Sequence, residues 1–238
     1  AWSEVKETYT LAKSIPLLEQ LLVYGSYPEI IIENEKEELL SSLSGSYLYK
    51  DILELGGIRK PEVLIRLLQA LAWQVGSEVS YNELSKTVGI DRETVVSYID
   101  LLEKSFVVYR LSPLSRNERK EISTSRKIYF YDNGIRNAII NNFNPIEQRN
   151  DVGALWENYF ITERLKLNTY QKLPVKSWFW RSKMHAEIDY VEEGSDGFTA
   201  FELKWNDKKA SKFSTTFTDF YQPRETFIIN KSNFWDQL

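Results

Sequence analysis

The stretch 187-EIDYVEEGSDGFTAFELK-204 predicts a β-hairpin. The runs Glu187–Val191 and Phe198–Lys204 show polar and apolar residues mainly at a period of two, which is typical of strands. The intervening segment Gly194–Gly197 offers two glycines and an aspartate, which are residues that a tight turn prefers. We therefore expect these two runs to pair side by side in one sheet.

Residues two apart in a strand share one face of the sheet. We therefore expect Glu187 and Asp189 to point one way, while Ile188 and Tyr190 point the other. The second strand of the hairpin carries another charged pair at this spacing, an acid and a lysine. Pairing of the two strands would bring all of these charged groups together.

The resulting cluster would hold three carboxylates and one lysine, and a predicted helix upstream could add a fourth carboxylate. Its members are Glu157, Glu187, Asp189, Glu202 and Lys204. Carboxylates repel one another unless a cation neutralises them, and a chain with no cysteine and one histidine favours Mg²⁺ or Mn²⁺. Such an ion on Asp189 and Glu202 would activate water near a phosphate, and Lys204 would assist that water. Surface ion pairs without a catalytic role are the alternative interpretation.

Further strands and two helices flank the hairpin. A helix at Gly153–Asn168, a strand at Ser177–Arg181, a helix at 208–221 and a strand at Thr226–Asn230 give the order αβββαβ. Aromatic residues at helical spacing predict a buried stripe on the second helix: Phe213, Phe217 and Phe220. Three tryptophans could stack on bases, although their strand spacing favours packing on the sheet: Trp178, Trp180 and Trp205.

The residues upstream of this region are mainly helical in pattern. Apolar spacing predicts helices at 3–24, 34–55 and 61–75. The stretch 79–131 then predicts a helix–turn–helix followed by two strands, an order typical of a winged helix. Its elements are an extended Val79, a helix capped by Ser80, a turn at Gly89, a helix Arg92–Lys104 capped by Asp91, and strands at 106–111 and 127–131.

A winged helix suggests two functions, which the charges do not decide between. DNA binding would place the helix Arg92–Lys104 in a major groove. Three acidic positions on that helix would repel phosphate and favour a protein contact instead: Glu93, Asp100 and Glu103. The basic loop 112–126 between the two strands favours nucleic acid.

The formal net charge of −4 hides two basic stretches, at 110–127 and 164–183, which are compatible with a nucleic-acid partner. The candidate nucleic-acid-binding residues are Arg92, Arg116, Arg119, Lys120, Lys183, Lys208 and Lys209. We expect DNA as a partner, and the oligomeric state is left open.

The acids and the lysine in their αβββαβ setting resemble the PD-(D/E)xK nuclease superfamily, which includes restriction endonucleases and archaeal Holliday-junction resolvases. This resemblance implies that Asp189 and Glu202 bind metal, that Lys204 is the catalytic lysine and that Glu157 is the helix acid. Glu187 would be an auxiliary metal ligand. The proline that often precedes the aspartate is replaced by Ile188.

A longer series of motifs resembles the C-terminal half of a family of prokaryotic AAA+ ATPases. The motifs are Tyr24–Glu29, Tyr49–Ile52, the winged-helix pattern, Lys127–Gly134 with its Asp132-Asn-Gly, Gly153–Asn158 and Glu187–Asp189. The resemblance implies a helical segment 1–57, a winged helix 58–135, a linker 136–151 and a restriction-endonuclease-like domain 152–238. The fold class would be α+β. A regulatory or protein-binding half without catalysis is the alternative function.

Several other classes of protein are disfavoured by the sequence. Without the phosphate-binding pattern G-x-x-x-x-G-K-[ST], this stretch would meet ATP only through a separate N-terminal ATPase module, which would also be its partner. The absence of cysteine excludes disulfides. No apolar run is long enough to span a membrane and the first residues do not form a signal peptide, so we expect a cytoplasmic protein.

Overall fold

The computed structural model describes residues 11–48, 52, 61–115, 126–182, 184–206 and 213–238. The chain divides into two compact units. The helical unit contains the described residues within 17–110 and 125–151. The sheet unit contains those within 1–16, 111–124 and 152–238. Both α-helices and β-strands occur, which confirms the α+β class in its general form.

The helical unit carries most of the helices. Along the chain its elements are α1 Leu11–Tyr24, α2 Pro28–Ile32, α3 Lys36–Ser42, α4 Pro61–Trp73, β1 Glu78–Val79, α5 Tyr81–Val88, α6 Arg92–Lys104, β2 Val108–Pro113, β3 Arg126–Phe130 and α7 Asn133–Ile139. The strand order in this unit is β1-β3-β2. The first six residues of α1 and the last three of β2 belong to the sheet unit.

The predicted elements between Val79 and Tyr131 are confirmed at nearly the expected positions. Ser80 Oγ accepts a hydrogen bond from Glu83 N at 3.4 Å, which caps α5. Asp91 accepts from Thr94 N at 2.7 Å and caps α6. Gly89 ends α5 with a φ of 76°, a left-handed conformation that glycine adopts at little cost. Local capping chemistry therefore sets these helix ends.

The helix predicted at 34–55 is confirmed over much of its described part, where α3 is followed by a π-helical turn at Leu43–Leu48. Residues 49–51 and 53–55 lie outside the described residues. Helix α2, which precedes this range, was not predicted. The ammonium group of Lys36 donates to the carbonyls of Ile30, Ile31 and Glu33 at 2.5, 2.9 and 2.6 Å. These bonds satisfy the free carbonyls at the end of α2 and so favour a break before α3.

Two of the recognised motifs form one close contact. Asp132 accepts hydrogen bonds from Ser26 N at 2.7 Å and from Ile135 N at 3.0 Å. A Cβ atom on Gly25, whose φ is +78°, would lie 2.0 Å from Asp132 Oδ1, and one on Gly134 would lie 2.1 Å from the Tyr24 carbonyl oxygen. Only glycine fits at either position, which explains the two motifs physically.

The stretch 136–151, predicted as a linker, holds the end of α7 and a buried group of charges. Arg136 is 1% exposed and donates to the Ala72 carbonyl at 2.8 Å and to Asp151 Oδ2 at 2.6 Å. The buried Arg149 side chain donates to both oxygens of Asp151 and to the Asn137 side-chain oxygen. Arg136, Asn137, Arg149 and Asp151 are called the arginine cluster below.

The sheet unit follows the predicted order αβββαβ. Its elements are α8 Val152–Tyr170, β4 Lys176–Arg181, β5 Glu187–Gly194, β6 Gly197–Leu203, α9 Thr215–Tyr221 and β7 Glu225–Ile229. The strand order is the end of β2, then β4-β5-β6-β7. Strands β4, β5 and β6 are antiparallel neighbours, while β7 is parallel to β6. A buried layer on one sheet face contains Trp180, Ile188, Val191, Ala200 and Phe217 of α9.

The predicted phenylalanine stripe is only partly buried. Phe217 is fully buried and Phe213 is partly buried, but Phe220 is 52% exposed. The described helix begins at Thr215, so that Phe213 precedes it and the short helix turns Phe220 outward. Trp180 is buried and Trp178 packs against the same layer, which agrees with the packing interpretation.

Candidate functional site

The predicted hairpin brings the charged residues to the ends of β5 and β6. Gly194 pairs with Gly197 at the turn, and Tyr190 pairs with Phe201. Asp189 Oδ2 accepts a hydrogen bond from Leu203 N at 2.7 Å, and Lys204 N donates to the Ile229 carbonyl at 2.9 Å. Three strands therefore fix the backbone of the site.

The face assignment predicted for β5 is wrong because this strand is irregular. The register of β4 and β5 shifts between Trp178 and Trp180, so the simple alternation of faces is interrupted. Ile188 joins the buried layer with Val191 and Ala200, whereas Tyr190 contacts Phe201, which neighbours Ala200 in β6 and takes the other face. Ile188 and Tyr190 thus lie on opposite faces of the sheet.

Lys204 lies between the two carboxylates that the sequence singled out. Its Nζ is 2.6 Å from Glu202 Oε1 and 3.7 Å from Asp189 Oδ2. Asp189 and Glu202 side chains are each 13% exposed, and that of Lys204 is 31% exposed. The three groups form a half-buried charged centre, called the carboxylate site below.

Burial and like charge act together on Glu202. Loss of solvation, followed by the charge of Asp189 and that of Glu187, raises the pKa of Glu202 despite the nearby lysine. Burial alone would lower the pKa of Lys204, but Asp189, Glu202 and Glu157 raise it above its ordinary value. The other two predicted acids, Glu157 and Glu187, thus act electrostatically on this site.

One oxygen of the carboxylate site is left without a protein partner. Glu202 Oε2 is buried, and no described residue forms a hydrogen bond to it. A buried acceptor without a partner costs about 1–3 kcal/mol, so it points to a ligand that supplies the missing interaction. Mg²⁺ commonly binds through one or two carboxylates and keeps several waters, which the pair Asp189 and Glu202 fits. Over the described ranges, no three His, Asp or Glu side chains converge on a metal position.

The structure describes one of the candidate nucleic-acid-binding residues. Arg92 is exposed at the start of α6, in the helical unit. The others lie outside the described residues: Arg116, Arg119, Lys120, Lys183, Lys208 and Lys209.

Sequence reasoning missed a partner for the acidic face of α6. Arg110 of β2 forms ion pairs with Asp100, at 2.7 Å, and with Glu103. Its neutralising charge weakens the expected repulsion between α6 and phosphate. The sequence does show a basic stretch that begins at Arg110. It does not show that this strand residue folds back against the acids of the preceding helix.

The chain matches two family models. Residues 15–145 match the family described as "Domain of unknown function (DUF8612)", and residues 152–237 match "Domain of unknown function (DUF4143)". Because the first match covers more than half of the chain, the protein belongs to the DUF8612 family. Its remaining third is similar to DUF4143.

The curated relatives carry no functional name. A protein of Mycobacterium tuberculosis titled as uncharacterized is 27% identical over 192 residues, 78% of this chain and 42% of that protein. One from Haemophilus influenzae is 29% identical over 124 residues, 49% of this chain and 31% of that protein. A Methanocaldococcus jannaschii protein is 27% identical over 141 residues, 56% of this chain and 30% of that protein. The chain thus spans less than half the length of these relatives.

No solved structure matches the chain significantly. Across the part of the chain that the structure describes, no helix has both the length and the apolar character needed to cross a bilayer.

Proposed function

We propose that the sheet unit is a restriction-endonuclease-like module that hydrolyses phosphodiester bonds in DNA with Mg²⁺ or Mn²⁺. The observation that carries this proposal is the buried, unpartnered Glu202 Oε2 beside Asp189 and Lys204. The αβββαβ order and the resemblance of these residues to PD-(D/E)xK nucleases support it. The two family matches leave the reaction open, because both are described by unknown function.

Each residue of the carboxylate site has a distinct task in this proposal. Asp189 and Glu202 would hold the cation, with Glu157 and Glu187 adding negative charge around it. When bound, the ion supplies an acidified water and neutralises charge on the phosphate. Lys204 keeps its proton because the surrounding acids raise its pKa. It would therefore turn from Glu202 towards the phosphate oxygens as a hydrogen-bond donor.

The helical unit would assist by contacting nucleic acid. In this part of the proposal β1, α5, α6, β2 and β3 form a winged helix, and Arg92 approaches phosphate at the start of α6. The pairing of Asp100 and Glu103 with Arg110 supports it, since those acids are partly neutralised. A separate AAA+ ATPase module would be its partner, as the resemblance of the motifs implies.

A specific observation also favours a second candidate function. Lys204 already neutralises Glu202 at 2.6 Å, as an ion pair would in a domain that has lost catalysis. Such a domain would bind a partner protein or regulate an ATPase without cleaving nucleic acid. The two candidates predict opposite results in one assay.

The test is cleavage of labelled duplex, single-stranded and branched DNA in Mg²⁺, Mn²⁺ or EDTA. We expect metal-dependent cleavage by the unaltered chain and a loss of at least about 100-fold in Asp189→Asn and Lys204→Ala. Asp196→Asn is the matched control, because Asp196 is an exposed acid at the tip of the same hairpin. Absence of cleavage, together with no metal-dependent rise in melting temperature, would support the regulatory function instead.

A further inference from the structure

A second concave feature lies on the sheet unit, between α9 and β4. This cavity of about 500 Å³ is lined by Trp180, Thr216, Asp219, Phe220 and Tyr221. It is called the α9 pocket below. The function proposed above does not use any of these residues.

The walls of the α9 pocket are aromatic rings held by one another. Trp180 and Tyr221 are 6.5 Å apart at an interplanar angle of 78°, and both contact the buried Phe217 at 5.2 and 5.1 Å. Phe220 meets Tyr221 edge to face at 4.9 Å and is 52% exposed. The pocket therefore has a fixed aromatic floor and one exposed ring at its rim, which suits a flat aromatic ligand.

The polar groups of the pocket select the kind of aromatic ligand. Thr216 and Asp219 are three residues apart on α9, so they lie on one side of the helix, and both are exposed. A carboxylate repels phosphate but accepts hydrogen bonds from the exocyclic amino group of a base. The pocket is thus suited to the base of a nucleotide, while its phosphate belongs elsewhere.

The α9 pocket and the carboxylate site share one region of the sheet. Trp180 pairs with Ile188, the residue before Asp189, across a strand spacing of about 4.8 Å. Ala200 lies in the layer beneath the pocket, and Glu202 follows it by two residues in a regular strand, so both occupy the same face. A base in the pocket and a phosphate at the carboxylate site would therefore contact neighbouring residues of β4, β5 and β6.

From this juxtaposition we infer that the α9 pocket binds an unpaired base of the nucleic acid that the carboxylate site acts on. This inference rests on the proposed function and specifies its substrate class: DNA with an unstacked nucleotide beside the scissile bond. A base inside a duplex is stacked on both faces and paired at its edge, so it cannot enter the pocket.

The test measures binding in EDTA, so that it does not depend on cleavage. Fluorescence anisotropy compares a labelled duplex with one extrahelical cytosine, the same duplex with an abasic nucleotide at that position, and the fully paired duplex. We expect the cytosine duplex to bind about 5- to 100-fold more tightly than the abasic one. Phe220→Ala should remove this difference and lower the melting temperature only slightly, because about half of the ring is exposed and it packs mainly on Tyr221.

Tyr170→Ala is the matched control, since Tyr170 is an exposed aromatic residue of the same unit on α8. Equal affinity for the cytosine and abasic duplexes, or an unaltered preference in Phe220→Ala, would overturn the inference. An extrahelical thymine tests Asp219, because thymine lacks an exocyclic amino group. Tighter binding of cytosine that Asp219→Asn abolishes is expected, and equal affinity for both bases would refute this role.

The same experiment separates the two proposals. Asp189→Asn should keep the base preference in EDTA even though it abolishes cleavage. If the unaltered chain shows the base preference but cleaves nothing, the nuclease proposal fails and the pocket stands. If it cleaves paired DNA as fast as bulged DNA and shows no base preference, the pocket assignment fails and the nuclease proposal stands.

Discussion

The arginine cluster and the carboxylate site are both groups of opposite charges, but they differ in how completely the charges are matched. Arg136 and Arg149 are buried, and between them they bond to Asp151, Asn137 and backbone carbonyls. The carboxylate site is more exposed and leaves Glu202 Oε2 without a partner among the described residues. A saturated group of charges stabilises one conformation, whereas an unsaturated group retains capacity to bind a ligand.

The largest effect is expected from removal of the one carboxylate in the arginine cluster. Asp151→Ala would leave two buried guanidinium groups without their carboxylate, and we expect it to lower the free energy of unfolding by about 3–5 kcal/mol. Urea denaturation measures this change. Asp196→Ala is the control, because its ion pair with Arg224 is exposed and should change stability by less than about 0.5 kcal/mol. Similar small effects of both substitutions would contradict the structural role of the arginine cluster.

The contact around Asp132 tests whether another part of the helical unit is packed as closely as the arginine cluster. Gly134→Ala would place a Cβ atom 2.1 Å from the Tyr24 carbonyl oxygen, so the backbone must shift at a cost of about 1–3 kcal/mol. In contrast, Gly153→Ala in the first turn of α8 meets no described atom within 4 Å and should gain about 0.5–1 kcal/mol from helix propensity. Thermal melting of both variants would decide, and equal melting temperatures would rule out the close approach.

The carboxylate site should respond to neutralisation in the opposite direction. Glu202→Gln removes a carboxylate whose charge is disfavoured by burial and by Asp189, so we expect a gain of about 0.5–1 kcal/mol at pH 7. The same variant should lose any rise in melting temperature caused by Mg²⁺. Glu193→Gln, on the same hairpin, serves as the control. A clear loss of stability in Glu202→Gln would show that its ion pair with Lys204 outweighs the burial of its charge.

A fall in pH gives the smallest expected effect. It should weaken the contribution of Asp151 to stability and strengthen that of Glu202. Although burial alone would raise it, hydrogen bonds from Arg149 and Arg136 lower the pKa of Asp151 below its ordinary 3.8. Its contribution is therefore present above pH 3.8 and is lost as the pH falls through the lowered value. The pKa of Glu202 is raised above 4.5, so its contribution is present below pH 4.5 and is lost as the pH rises through the raised value.

Both effects can be measured between pH 2 and pH 8 as the difference in free energy of unfolding between the unaltered chain and Asp151→Asn or Glu202→Gln. The difference between the unaltered chain and Asp151→Asn should shrink as the solution becomes more acidic. The unaltered chain should approach the stability of Glu202→Gln in acid and fall below it towards neutral pH. Parallel curves for either pair would contradict the corresponding pKa shift.

The sequence revealed the local parts of the fold because they depend on local chemistry. Alternation predicted β5 and β6, and the caps at Ser80 and Asp91 predicted the starts of α5 and α6. The carboxylates and Lys204 were also predictable, since a hairpin joins residues close in sequence. Their roles in catalysis remain predictions.

The features that could not be predicted depend on contacts between distant residues. The alternation of polar and apolar residues that begins β5 at Glu187 does not reveal the register shift against β4, which places Ile188 and Tyr190 on opposite faces. Arg136 is buried in part by a hydrogen bond to the carbonyl of Ala72, 64 positions earlier in the chain. The exposure of Phe220 depends on where α9 begins, which the spacing of three phenylalanines does not specify.

The parallel pairing of β7 with β6 has a consequence for synthesis of the protein. Lys204 is fixed through its backbone to Ile229, and Phe234 packs edge to face on Trp156, one residue before Glu157. A nascent chain that has exposed residues 187–204 therefore still lacks two neighbours of the carboxylate site. On the ribosome, the acids and the lysine would reach the arrangement described above only after residues 225–234 have left the exit tunnel. Assembly of this centre is therefore timed by β7 and the residues up to Phe234 rather than by the hairpin itself.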